Sequence, residues 1–195
     1  MKILGLTGGM GMGKSTVASR LRRAGLPVFD ADAVVHQLQG PGGEALPFIA
    51  RLVPQAVREG RLDRAVLRQA VLAQPAVLKK LEAIMHPLVR RERQKFLRHC
   101  RTVGKPWVVL DIPLLFETRA ERLCNKVVVV SAPMWVQRRR VAQRRNMPHA
   151  QARRLIASQM PDARRRQKAD MVIRTGLSMK ETERQVRHLI GSLRA

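Results

Sequence analysis

The chain has 195 residues, 45% of them hydrophobic and 27% charged, which suits one globular domain carrying a small insertion. Its 38 Lys and Arg against 14 Asp and Glu give a net charge of +24, yet aromatics make up only 3% and Tyr is absent, so there is no stacking platform for single-stranded nucleic acid. No apolar run approaches the roughly 20 residues of a membrane span.

The predicted elements alternate between strand and helix. Lys2–Thr7 reads as a strand and Thr16–Ala24 as the helix after it, closed by Gly25. Pro27–Phe29 is a short second strand ending at Asp30, and residues 31–39 and 45–52 are helical on either side of a Gly-Pro-Gly-Gly break at 40–43. Residues 63–73 and 75–101 carry Leu, Val and Ile at helical spacing, and Pro87 is expected to kink or interrupt the second of these helices. Residues 107–111 and 126–131 are continuous apolar runs of the kind that form parallel strands buried on both faces. Two basic helices follow at 133–145 and 148–159, then a last strand at 171–174 and a closing amphipathic helix at 178–193. This order implies an α/β fold, a parallel sheet flanked by helices, with ligands at the C-terminal ends of the strands. Thr7, Asp30, Asp111 and Ser131 fall at those ends.

Gly8 to Ser15 matches G-x-x-x-x-G-K-[ST] in full, directly after the first strand and before a helix. Glycines allow a tight turn whose successive N–H groups form an anion-binding concavity, and the helix that follows aims its positive end at the same place. Gly9, Gly11, Met12, Gly13, Lys14, Ser15 and Thr16 are therefore expected to bind a nucleoside triphosphate. Lys14 would reach the β- and γ-phosphates, and the Ser15 hydroxyl would ligate Mg²⁺.

Three further groups bear on chemistry. Asp30 and Asp32 follow the second strand. Asp32 is the better candidate to orient an acceptor hydroxyl and take its proton, while either acid could instead cap the next helix. Asp111 ends an apolar strand, where it either helps hold Mg²⁺ through water or bonds to loop amides. Arg140 and Arg144 are four residues apart on one helix face, in a form suited to bidentate phosphate binding. Residues 138–195 hold 16 basic and 4 acidic residues, half of the net excess. Most of these are expected to be a solvated surface with non-specific affinity for polyanions and no specific nucleic-acid partner.

In order and spacing, Leu6-Thr7-Gly8-Gly9, Asp30-Ala31-Asp32, His86-Pro87-Leu88 and Asp111-Ile112-Pro113-Leu114-Leu115-Phe116-Glu117 resemble the dephospho-coenzyme A kinases. The resemblance covers nearly the whole chain. It implies a phosphate-loop kinase fold with a core at about 1–39, 103–137 and 168–195, a helical substrate-binding insertion at about 40–102 and a lid at about 138–167. It also implies ATP-dependent phosphorylation of the ribose 3′-hydroxyl of dephospho-coenzyme A, with Mg²⁺ as cofactor. In that scheme Asp32 and Lys14 are catalytic, Asp32, His86, Leu114, Leu115 and Glu117 contact the acceptor, and Arg140 and Arg144 serve as lid arginines on ATP.

Met12 departs from the small residue usual in this loop; its side chain can point outward, so the loop is expected to tolerate it. Arg145 and Arg174-Thr175-Gly176 depart as well, the latter putting adenine contacts there in doubt. The N-terminus runs straight into the phosphate loop, which leaves no room for a signal peptide, and Cys100 and Cys124 lack metal-ligand spacing. A cytoplasmic monomer with two reduced, packed thiols is expected. Competing readings are a kinase for another small alcohol or nucleotide and a nucleic-acid-stimulated NTPase.

Overall fold

Three apolar runs of the sequence become adjacent strands of one sheet. In the computed structural model, which describes residues 1–145 and 148–194 without the side chains of Arg144, Arg145 and His149, β1 (Lys2–Thr7) pairs in parallel with both β5 (Trp107–Asp111) and β6 (Lys126–Ser131). A last strand, β7 (Met171–Arg174), pairs in parallel with β6, and β2 (Val28–Asp30) completes the order β2-β5-β1-β6-β7. All five residues of β5 are buried, as are the last five of β6, which explains their lack of hydrophobic alternation. The connection leaving β1 runs toward β2 and the one leaving neighbouring β6 runs toward β7, in opposite directions, so the loop after β1 lies where such sheets bind ligands.

The chain divides into two units, Met1–Phe29 with Cys100–Ala195, and Asp30–His99. The first unit adds α1 (Lys14–Arg23), α6 (Met134–Arg145), α7 (His149–Ala157), α8 (Asp162–Gln167) and α9 (Met179–Arg194) to the sheet. Helix α1 begins two residues before the segment the pattern suggests, because Gly13 stands at φ 88° and turns the chain into the helix there. It ends in a Schellman motif: Leu26 N–H donates to Leu21 O at 3.1 Å, Gly25 N–H to Arg22 O at 3.0 Å, and Gly25 takes φ 83°. Helix α9 buries Thr182, Val186, Leu189 and Leu193, one stripe at helical spacing, against a core shared with Leu4, Leu6, Val17 and Leu21. Helix α8 falls in a stretch where sequence periodicity gave no element.

The second unit is built from α2 (Ala31–Leu38), α3 (Leu46–Leu52), a 3₁₀ turn at Pro54–Ala56, α4 (Arg64–Ala73) and most of α5 (Pro75–Thr102). Its own core gathers Leu38, Ile49, Val53, Leu67 and Met85. It also holds a hairpin that sequence patterning misses, β3 (Val57–Arg58) with β4 (Arg61–Leu62), turned by Glu59 and Gly60 at φ 49° and 70°. Asp63 caps α4, accepting from Ala65 and Val66 N–H at 2.9 and 3.1 Å. Helix α5 runs through Pro87 as one element, so of the expected kink or interruption the interruption does not occur. The ring removes one N–H, the partner of the Ala83 carbonyl in an ideal helix, and Pro87 sits on the exposed side where water can serve that carbonyl.

Candidate active site

The loop after β1 is held open by the backbone chemistry its glycines permit. Gly11 and Gly13 stand at φ 76° and 88°. A Cβ on Gly8 would stand 2.7 Å from Val130 O, so only glycine lets the loop pass over β6. Met12 N–H closes the turn on Gly9 O at 3.1 Å, and Thr16 N–H bonds Gly13 O at 3.1 Å as α1 begins. Ser15 is exposed at this helix start and Thr16 is half-buried.

Neighbouring elements pin the loop from behind. Gln137 on α6 donates to Met10 O at 2.8 Å, and Gln159 Oε1 accepts Met10 N–H at 2.9 Å. Arg140 Nη2 donates to Thr175 O at 2.8 Å, while its Nη1 reaches Thr175 Oγ1 at 3.1 Å and Gly11 O at 3.4 Å. Thr175 Oγ1 in turn donates to Met12 O. Arg140 is thus brought to the foot of the loop. Thr175, which the sequence marked only as a departure from pattern, is a buried hub between the loop, α6 and β7. The side chain of Arg144 lies outside the described residues.

Met12 points inward, not outward. Its side chain is 2% exposed and packs in the main core with Val136 and Ala132, and its sulfur accepts the Ala132 N–H at 3.1 Å. The flexible thioether fills space under the loop that a smaller residue would leave open.

Lys14 Nζ forms an ion pair with Asp111 Oδ1, Asp111 being 2% exposed. The same β5 end leads into Ile112–Glu117, tied to β1 where Thr7 Oγ1 donates to Pro113 O at 2.9 Å. In that segment Leu114 is exposed. Leu115 is fully buried in a cluster with Phe116, Val127 and Val129, and so anchors the segment instead of lining its surface. Glu117 Oε1 accepts from Arg165 Nη2 at 3.2 Å. Sequence reasoning passed over Arg165, one of three consecutive arginines, because a run of charge does not reveal which member is buried.

Asp30, Asp32 and His86 belong to the second unit. Asp30 is the N-cap of α2, its Oδ1 accepting Ala33 N–H at 3.0 Å. Asp32 lies exposed in the first turn of the same helix and has no hydrogen bond or ion pair among the described residues. The cap role therefore falls to one acid and leaves the other available. His86 is exposed on α5.

The family model for dephospho-CoA kinase matches residues 2–181. The chain belongs to the dephospho-CoA kinase family. It is 54% identical over 198 residues to the dephospho-CoA kinase of Gluconobacter oxydans, covering 100% of this chain and 98% of that one. The crystal structure of TT1252 from Thermus thermophilus superposes with a TM-score of 0.85 at 36% identity, covering 98% of this chain and 97% of that one. The dephospho-CoA kinase of Campylobacter jejuni, 23% identical, shares the fold with a TM-score of 0.76 over 99% of this chain and 98% of that one. Membership makes the chain a kinase of the phosphate-loop class and accounts for the loop, the sheet order and the segment from Asp111 to Glu117 as parts of one inherited design. No described helix of this kinase is long and apolar enough to cross a membrane.

Proposed function

We propose that this kinase performs its family's reaction, ATP-dependent phosphorylation of the ribose 3′-hydroxyl of dephospho-coenzyme A, with the loop of the first unit as donor site and Asp32 as the acceptor's base. The observation that carries this reading is the state of Lys14. Its ammonium sits at the mouth of a glycine loop in direct partnership with a buried carboxylate, poised to exchange that partner for phosphate oxygens. Gly9, Gly11, Met12, Gly13, Ser15 and Thr16, which form the loop backbone and the start of α1, are assigned to the same phosphates.

Ser15 and Asp111 are hard oxygen donors, the kind that hold Mg²⁺ together with substrate phosphates and water. When bound, the ion would neutralise charge developing on the phosphates. Arg140 steadies the loop through Gly11 and Thr175, and with Arg144 it is assigned to the donor phosphates. On the acceptor side Asp32, an unengaged carboxylate, orients the hydroxyl and takes its proton. His86, Leu114 and Glu117 are assigned to acceptor contacts, with Leu115 supporting them from the core. The core, helical substrate region and lid are read as in the family, and the protein is taken to act as a cytoplasmic monomer.

Incubation with ATP, Mg²⁺ and dephospho-coenzyme A, followed by mass spectrometry, should show a product heavier by one phosphate. Consumption of ATP with no change in the acceptor's mass would overturn the assignment.

A further inference from the structure

Arg165 is 2% exposed, yet among the described residues its guanidinium makes a single hydrogen bond, from Nη2 to Glu117 Oε1 at 3.2 Å. Its Nε is buried without a partner. A guanidinium carries five N–H donors and cannot shed its charge, so burying it this poorly satisfied is costly. Native proteins rarely bury such groups unless water, an ion or a ligand completes them.

The surroundings indicate the ligand. Nη1 lies 3.0 Å from the point where a Cβ on Gly9 would stand, so the guanidinium abuts the beginning of the phosphate loop. Arg165 also lines a cavity of about 780 Å³ with Met12, Gln137, Gln159 and Met160. Arg140, the other described arginine at the loop, behaves differently: it places three hydrogen bonds on Gly11 and Thr175. Glu117 holds Arg165 by one nitrogen and leaves donors of the planar fork uncommitted, the geometry that suits bidentate binding of a phosphoryl group.

We propose that Arg165 is a further phosphate-binding residue, engaging the terminal phosphoryl group of the donor and so discriminating triphosphate from diphosphate. The assignment rests on the reading of this loop as an ATP site. Glu117 then has a second duty, fixing the guanidinium beside Gly9 while it borders the acceptor segment.

The test compares ATP and ADP affinity by calorimetry, with Mg²⁺ present, for the wild type, Arg165→Gln and the gentler Arg165→Lys, which keeps the charge and loses the fork. Arg165→Gln should weaken ATP by about 10- to 100-fold, the value of one or two charge-assisted hydrogen bonds, while ADP changes less than about threefold. Arg165→Lys should fall between, with its loss also confined to ATP. Equal losses for both nucleotides in the arginine variants would mean a purely structural arginine and overturn the proposal. Undiminished ATP affinity in Arg165→Gln would overturn it too. Wild-type protein that binds ATP but leaves dephospho-coenzyme A unmodified would defeat the acceptor assignment alone, since the ATP-to-ADP contrast is still read.

Discussion

Lys14, the first residue of α1, forms an ion pair with Asp111, which ends β5 beside Leu6 of β1. One ammonium cannot serve a buried carboxylate and a triphosphate equally, so nucleotide binding must rearrange this contact. The pair also predicts an asymmetry between stability and activity. Lys14→Met removes the cation beside a buried carboxylate and should cost up to about 3–5 kcal/mol of stability, while slowing phosphoryl transfer by roughly 10²–10³. The double variant Lys14→Met/Asp111→Leu should regain much of the stability and none of the activity. Urea denaturation beside a coupled kinase assay reads both, and a Lys14→Met protein as stable as wild type would show the pair contributes nothing.

Asp32 should matter to turnover and little to donor binding. Its carboxylate is exposed and unengaged, whereas its neighbour Asp30 is committed to capping α2. Asp32→Asn is expected to lower kcat by about 10²–10⁴, the range of a lost general base, with ATP affinity unchanged and stability nearly so. Asp30→Asn should leave kcat close to wild type, since Asn also caps helices well. A comparable fall in kcat for both variants would assign the chemistry to the pair jointly.

Thr175 offers a test of how the loop keeps its shape. Its hydroxyl donates to Met12 O and accepts from Arg140. Thr175→Val leaves both groups without that partner and should cost about 1–3 kcal/mol, with a raised KM for ATP. Thr175→Ser retains the hydroxyl and should behave almost as wild type. If Ser and Val variants share one KM, the hydroxyl is not what holds the loop.

Much of this arrangement was legible because local rules and tertiary context agree. The apolar runs at 107–111 and 126–131 could only be buried strands, and Gly8 to Ser15 has a sequence signature dictated by its backbone. What escaped were features without a local signature. The Val57–Leu62 hairpin has two-residue strands, too short to alternate. Arg165 and Arg164 are neighbours of identical type, and only packing decides that one is buried and the other exposed. Met12 was read as able to point outward because nothing in its immediate neighbours reveals the Ala132 N–H or Val136 awaiting it. Pro87 was read by its usual effect, which an exposed position on a long helix absorbs.

Cys100 should be chemically quiet. It is buried, and burial pushes its thiol up while nearby Lys105 pulls the other way. A raised folded-state pKa favours the protonated thiol in the native protein. Its contribution to stability is therefore complete below the unfolded thiol value of about 8.5 and is lost as pH climbs from there toward the folded value. Alkylation with iodoacetamide at pH 8 should be much slower at Cys100 in the native protein than in urea. Equal rates would show the site to be open.

Met12 occupies two environments at once: its backbone shapes the nucleotide cradle and its thioether is sealed among Ala132 and Val136. Oxidation to the sulfoxide would force a polar, bulkier group into that seam and distort the cradle from below. At 2% exposure the fold shields this sulfur, so Met12 itself is more open to peroxide while the chain is nascent or partly unfolded than in the native protein.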